Sequence, residues 1–231
     1  MRVLVIGANG KTGRRVVRQM KEGPHQPVAM VRDSDQRAFF TGLGVESVVG
    51  DVEASIAPLL HRIDGLIFAA GSGSKTGPEK TIDVDQNGAI RTINEAEEAG
   101  IQRYVMLSSM NADPDSEGRR ISHYYRAKGV ADEHLAESGL EWVIVRPGRL
   151  TDDPGREAIR AAPSLEGTEG PREISRDDVA SVLVRSLDHP GVVGLAFEIL
   201  AGDVPIQRAL DRLGGWKVQE GEHRSLEGEV G

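Results

Sequence analysis

Short apolar runs alternate along this chain with longer stretches in which apolar residues recur every three or four positions. "RVLVIG" (2–7) is unbroken and aliphatic, too short for a helix and without the polar alternation of a half-exposed strand. "GRRVVRQMKEG" (13–23) has helical spacing and stops at Gly23 and Pro24. Further strands are predicted at 27–32, 45–51, 65–71, 103–109 and 141–148, with helices at 81–100 and 122–139. Unbroken Val/Ile/Leu runs separated by helices predict parallel strands covered on both faces. The fold class expected is therefore α/β, a doubly wound parallel sheet with right-handed crossovers. Beyond residue 150 the chain turns Pro/Gly-rich and charged, with one helix (175–188), one strand (194–200) and a short helix (205–213). The expected organisation is a single domain: a core at 1–150, a small substrate-side part at 151–214 and a polar tail at 215–231.

Composition narrows the chemistry. The 231 residues include no cysteine, which excludes disulfides, thiolate metal sites and cysteine nucleophiles. The six histidines show no metal-ligand spacing, so no metal is expected. A formal net charge of −8 repels phosphate backbones and disfavours a nucleic-acid partner. No apolar run approaches the ~20 residues that span a bilayer, and the first residues read as a strand, not a signal peptide. A cytoplasmic protein with no membrane partner is expected.

The bend after the first strand, "GANGKTG", holds Gly7, Asn9, Gly10, Lys11, Thr12 and Gly13. Glycines there let the backbone approach a pyrophosphate, and the following helix turns its unpaired N–H groups toward an anion. The alternative is a helix cap with no ligand. At the end of the second strand, Arg32 offers a planar fork of donors suited to the extra phosphate of NADP. The competing reading takes Asp33 as a ribose ligand for NAD. Asp51 and Val52, after the third strand, would flank an adenine; Ala69, Ala70 and Gly71, after the fourth, are small enough for a cofactor to lie against backbone.

Taken in order, "GANGKTG", "VRD", "GD", "VDQNGA", "VMLSS", "YYRAK" and "VIVRPG" resemble the short-chain dehydrogenase/reductase superfamily. The likeness is strongest to its small atypical branch of NAD(P)-dependent epimerase/dehydratase and NmrA-like proteins. It runs from Met1 to about Asp153 and more loosely beyond. The resemblance implies a Rossmann fold, NADP (NADPH) as cofactor with NAD second, and a catalytic set on Ser109, Tyr124 and Lys128. Tyr124 and Lys128 are four apart on a helix, hence on one face. A nearby ammonium favours the phenolate, Lys128 would also hold the nicotinamide ribose, and Ser109 would bind the substrate oxygen. Against this stand a chance Tyr–Lys spacing, a plain turn at "SS", and Tyr125 as the functional ring.

Where the superfamily often has asparagine, this chain has Asp85. That carboxylate would hold Lys128 charged or accept a second proton; alternatively it caps or pairs within its own helix. Pro147 and Gly148 are expected to shape the nicotinamide pocket, His123 to line the site, and the Gly/Ser-rich loop 71–79 to act as a lid. "SRDDVA" (175–180) reads as a helix start capped by Ser175 or Asp177, with no chemistry required.

Two functions fit. One is an NADP-dependent oxidoreductase or epimerase acting on a small-molecule carbonyl or hydroxyl substrate. The other is a non-catalytic NADP-binding sensor. The segment after Leu150 is too short for the large cap that grips nucleotide-sugars. Both a monomer and a homodimer remain open.

Overall fold

The computed structural model describes residues 1–73 and 76–215; all but the first residue of the expected polar tail, and two residues of the 71–79 loop, fall outside these. Strand β1 (Arg2–Ile6) leads into helix α1 (Lys11–Glu22), then β2 (Gln26–Val31), α2 (Arg37–Gly42), β3 (Glu46–Val49) and β4 (Gly65–Phe68). After α3 (Pro78–Thr81) and α4 (Ala89–Glu98) come β5 (Arg103–Leu107), α5 (Ser122–Glu137), β6 (Glu141–Pro147), β7 (Arg149–Thr151) and β8 (Ala158–Ala162). β9 (Glu173–Ser175), α6 (Arg176–Arg185), β10 (Leu195–Ala201), β11 (Val204–Pro205) and a helical segment at 206–215 complete the described chain.

Among the described residues the main sheet has nine strands in the order β3-β2-β1-β4-β5-β6-β10-β8-β11. The run from β3 to β10 is parallel, as the unbroken apolar segments predict. Both faces are covered. In β1, Val3 and Val5 pack with Val16 and Met20 of α1 and Val179 of α6, whereas Leu4 and Ile6 pack with Ile93 of α4 and Leu135 of α5. Neither face of such a strand meets water, so the pattern carries no alternation.

At the far edge β8 and β11 run antiparallel, and β7 pairs with β9 in a separate two-stranded sheet. β7, β8 and β9 lie in the stretch where the sequence showed only loosened composition, and β11 takes in Pro205, where the short helix was expected to begin. They are short, β8 is "AIRAA", and Pro205 takes the edge position where its missing donor does no harm. Helix α2 also escapes the pattern: its six residues are too few for a period, although Phe40 is fully buried.

The helix predicted at 81–100 is interrupted. Residues Ile82–Gly88 form a π-helical segment between α3 and α4. Gly88 presses against Val52, where a Cβ would come within 2.7 Å of the valine Cγ2. π segments insert an extra residue per turn, re-aim side chains and gather at functional sites. Here the turn holds the Asp85 carboxylate beneath the surface.

Candidate active site

Strand order reverses between β1 and β4, so a crevice opens at their carboxyl ends, the usual ligand position in open α/β sheets. Gly7 stands there at φ +77°, and a Cβ on it would lie 2.6 Å from the Ala70 Cα. A Cβ on Gly13 would lie 2.2 Å from the Gly7 carbonyl oxygen, so Gly13 brings α1 against the bend without itself lining the crevice. No side chain caps the first turn of α1 and no acidic residue occupies it, which leaves its positive end for a ligand. This cradle of bare backbone fits a dinucleotide pyrophosphate.

From the bend the crevice extends both ways. On one side a cleft of about 220 Å³ is lined by Gly7, Asn9, Gly10, Arg32, Asp51, Val52, Ala69, Ala70 and Gly71, together with Met30, Gln36 and Val84. Asn9 Oδ1 accepts from Arg14 Nη2 at 2.6 Å, fixing the loop to its helix. Arg32 faces this cleft, whereas the Asp33 carboxylate caps the next turn by accepting from the Asp35 N–H at 3.0 Å and is not part of the lining.

On the other side lies a cavity of about 710 Å³, sharing Gly10, Ala69, Ala70 and Gly71 with the cleft. Its walls include Lys11, Thr12, Asp85, Ser108, His123, Tyr124 and Lys128. Tyr124 faces the cavity; Tyr125 turns away beneath the Arg119 guanidinium, 5.9 Å from its ring centre. Lys128 Nζ lies 3.1 Å from Asp85 Oδ1, the two side chains being 4% and 1% exposed. This is a charge contact outside hydrogen-bond alignment, and no donor among the described residues hydrogen-bonds that oxygen. The other oxygen accepts from the Ser72 N–H at 2.9 Å.

Burial works against the Lys128 ammonium, yet Asp85 and the Tyr124 phenol outweigh it and hold the lysine above its ordinary value. The phenol behaves differently from the sequence expectation. Burial, the largest influence, pushes Tyr124 up beyond the pull of Lys128 and of a hydrogen bond with Ser109, and Asp85 adds to the rise. Lys128 is still the strongest influence favouring the phenolate, with Asp85 working against it.

Not every predicted residue reaches the cavity. Ser109 directs its hydroxyl to the Met110 carbonyl at 3.1 Å and touches Tyr124, while the cavity wall is taken by Ser108. Ser108 Oγ donates to buried Asp132 at 2.8 Å, and Arg146 Nε donates to the same oxygen at 2.8 Å. Pro147 and Gly148 line neither space. Pro147 is buried and accepts from the Met110 N–H, and a Cβ on Gly148 would meet the Arg172 carbonyl oxygen at 2.5 Å, so both are packing positions under β9 and β10.

Conversely, Leu150, Arg120 and Arg176 line the cavity without having been singled out. Ser175 caps α6 as expected, its hydroxyl accepting from the Asp177 N–H, but the next residue brings Arg176 to the cavity and to Asp152. Only the tertiary fold carries these residues to the site.

The family model described as NAD(P)H-binding matches residues 7–190. A Bacillus subtilis protein named as an uncharacterized sugar epimerase, YhfK, is 41% identical over 92% of this chain and 100% of its own length. A solved Bacillus halodurans structure, provisionally described as an NAD-dependent epimerase/dehydratase, is also 41% identical; it superposes with a TM-score of 0.87 over 92% of this chain and 99% of that one. The oxidoreductase ylbE of Lactococcus lactis is similar at 25% identity and a TM-score of 0.78, over 92% and 96% of the two chains.

Proposed function

Since this chain belongs to the NAD(P)H-binding family of Rossmann-type proteins, in its atypical short-chain dehydrogenase/reductase-like branch, we propose that it is an NADP-dependent oxidoreductase or epimerase acting on a small carbonyl or hydroxyl compound. One observation carries the reading: the glycine crevice opens directly into a cavity walled by Tyr124 and Lys128. A group held there would meet a proton-transfer residue at the point where the dinucleotide crevice ends.

The residues divide the work along the crevice. Gly7, Gly10 and Thr12 receive the pyrophosphate at the start of α1, with Asp51, Val52 and Ala70 against the adenosine. Arg32 takes the ribose phosphate of NADP; that Asp33 is spent on a turn cap favours NADP over NAD. A nicotinamide held there would supply or accept hydride. Tyr124 exchanges a proton with the substrate oxygen, Lys128 holds charge beside it, and Ser109 positions the phenol by their hydrogen bond. The names of relatives from Bacillus subtilis and Bacillus halodurans agree with this class of chemistry.

The test is NADPH oxidation against a panel of small aldehydes and ketones. Tyr124→Phe is expected to lower kcat/KM on the order of 10²-fold or more while cofactor affinity is kept. Undiminished turnover by Tyr124→Phe contradicts the assignment, and tight NADPH binding without turnover of any compound points to a binding protein instead.

A further inference from the structure

Resting on the NADP reading, we propose that Arg14 is a positioning residue for cofactor choice: it turns the Asn9 amide so that the nitrogen, a donor, faces the ribose phosphate beside Arg32. The inference starts from two distances. Arg14 Nη2 and Nε both donate to Asn9 Oδ1, at 2.6 Å and 3.1 Å. A guanidinium carries donors and no acceptor, so an amide gripped in this way turns its oxygen to the arginine. The Asn9 Nδ2 donors are the polar edge left over, and no residue among those described accepts from them.

Asn9 lines the same cleft as Arg32 and Gln36, on the adenosine side of the glycine bend. The two dinucleotides differ at the adenosine ribose, where NADP carries an anion and NAD a hydroxyl that both donates and accepts. An amide nitrogen suits the anion. An amide free to turn would also offer its oxygen, which suits the hydroxyl and repels the phosphate. Fixing the amide therefore discriminates between the cofactors, in the same direction as Arg32.

Arg14 is itself held in place. Its backbone N–H donates to the Gly10 carbonyl at 2.9 Å, within the first turn of α1. Its guanidinium carbon stands 4.2 Å from the centre of the Phe39 ring on α2, and that of Arg18, one turn further along α1, stands 5.2 Å from the same ring. Phe39 packs in turn against the core. Among the described residues no carboxylate pairs with Arg14, so its charge-assisted hydrogen bonds go to Asn9.

Calorimetric titration of NADPH and NADH reads this as a ratio of affinities. Arg14→Met keeps a long chain over Phe39 and removes the donors. Its NADPH affinity should fall on the order of tenfold, with NADH affinity kept or raised. Arg14→Lys retains a donor for Oδ1 and should recover part of the loss. Asn9→Ala should lose a similar factor, and the double variant with Arg14→Met no more than either single one, because the arginine acts through the amide. Asn9→Asp would give one oxygen to Arg14 and set the other toward the phosphate, so it should lose more NADPH affinity than Asn9→Ala while still binding NADH.

Equal losses for NADPH and NADH in Arg14→Met would reduce Arg14 to a support of the loop and overturn the proposal. So would a double variant whose loss is the product of the two single losses. Asn9→Asp binding NADPH as the unsubstituted protein does overturns it too, even if Arg14→Met does not fold. The two layers fail differently. An unsubstituted protein that binds both dinucleotides alike contradicts the NADP reading and this proposal with it, whereas an NADPH preference that survives Arg14→Met contradicts only the role given to Arg14.

Discussion

His25 shows at the scale of one residue how burial sets a pH response away from the site. Its side chain is 5% exposed, Nε2 lies 3.0 Å from Asp188 Oδ2, and Nδ1 is buried with no hydrogen-bond partner among the described residues. Burial lowers the imidazole below its ordinary value, against the pull of Asp188. In the window from the unfolded value of ~6.5 down to the lowered folded value, the unfolded chain binds a proton that the folded one refuses. Stability is therefore full above ~6.5 and falls as pH drops through that window, by about 1.4 kcal/mol per unit of lowering. Urea unfolding at pH 7.5 and 5.5 should show this loss in the unsubstituted protein and a smaller one in His25→Gln. Equal losses in the two proteins would remove His25 as the cause.

At the scale of elements, the packing between α1 and the bend before it ties fold to function. Gly13 sits where a Cβ would strike the Gly7 carbonyl oxygen at 2.2 Å and the Ala8 Cα at 2.8 Å. Both are backbone, so nothing flexible can yield. Gly13→Ala should cost about 1–3 kcal/mol, read from the urea midpoint, and weaken NADPH binding by moving the helix start off the crevice. A variant with the original midpoint and affinity would show that this close approach is not needed.

Elements also explain what the sequence could reveal. The parallel strands and α1 are legible because their patterns are local and their burial is two-sided. Tyr124 and Lys128 are legible because four residues on a helix share a face. Ser108 against Ser109 is not, since successive residues at a strand end point to opposite sides and the pattern does not say which side is the cavity. The π segment is hidden as well: its apolar positions read as ordinary helix, and the approach of Gly88 to Val52, 36 positions away in sequence, exists only in the folded chain.

For the whole molecule, sheet order decides where everything meets. The reversal between β1 and β4 sets Gly7 beside Ala70 and aligns the small cleft, the glycine bend and the large cavity in one continuous groove. Arg176 and Leu150 reach that groove from the carboxyl-terminal third, which is why local sequence gave them no part in it. Among the described residues no helix is long and apolar enough to cross a membrane. Along the groove Lys11 and Arg176 are each paired with Asp152, whereas Arg32 and Arg120 line it at either side.

Whether the glycine crevice holds NADP through Arg32 is read by calorimetric titration of NADPH and NADH into the unsubstituted protein and Arg32→Ala. NADPH should bind at one site per chain and more tightly than NADH, and Arg32→Ala should lose on the order of tenfold or more for NADPH with little change for NADH. No heat from either dinucleotide, or NADPH affinity untouched by Arg32→Ala, would contradict it.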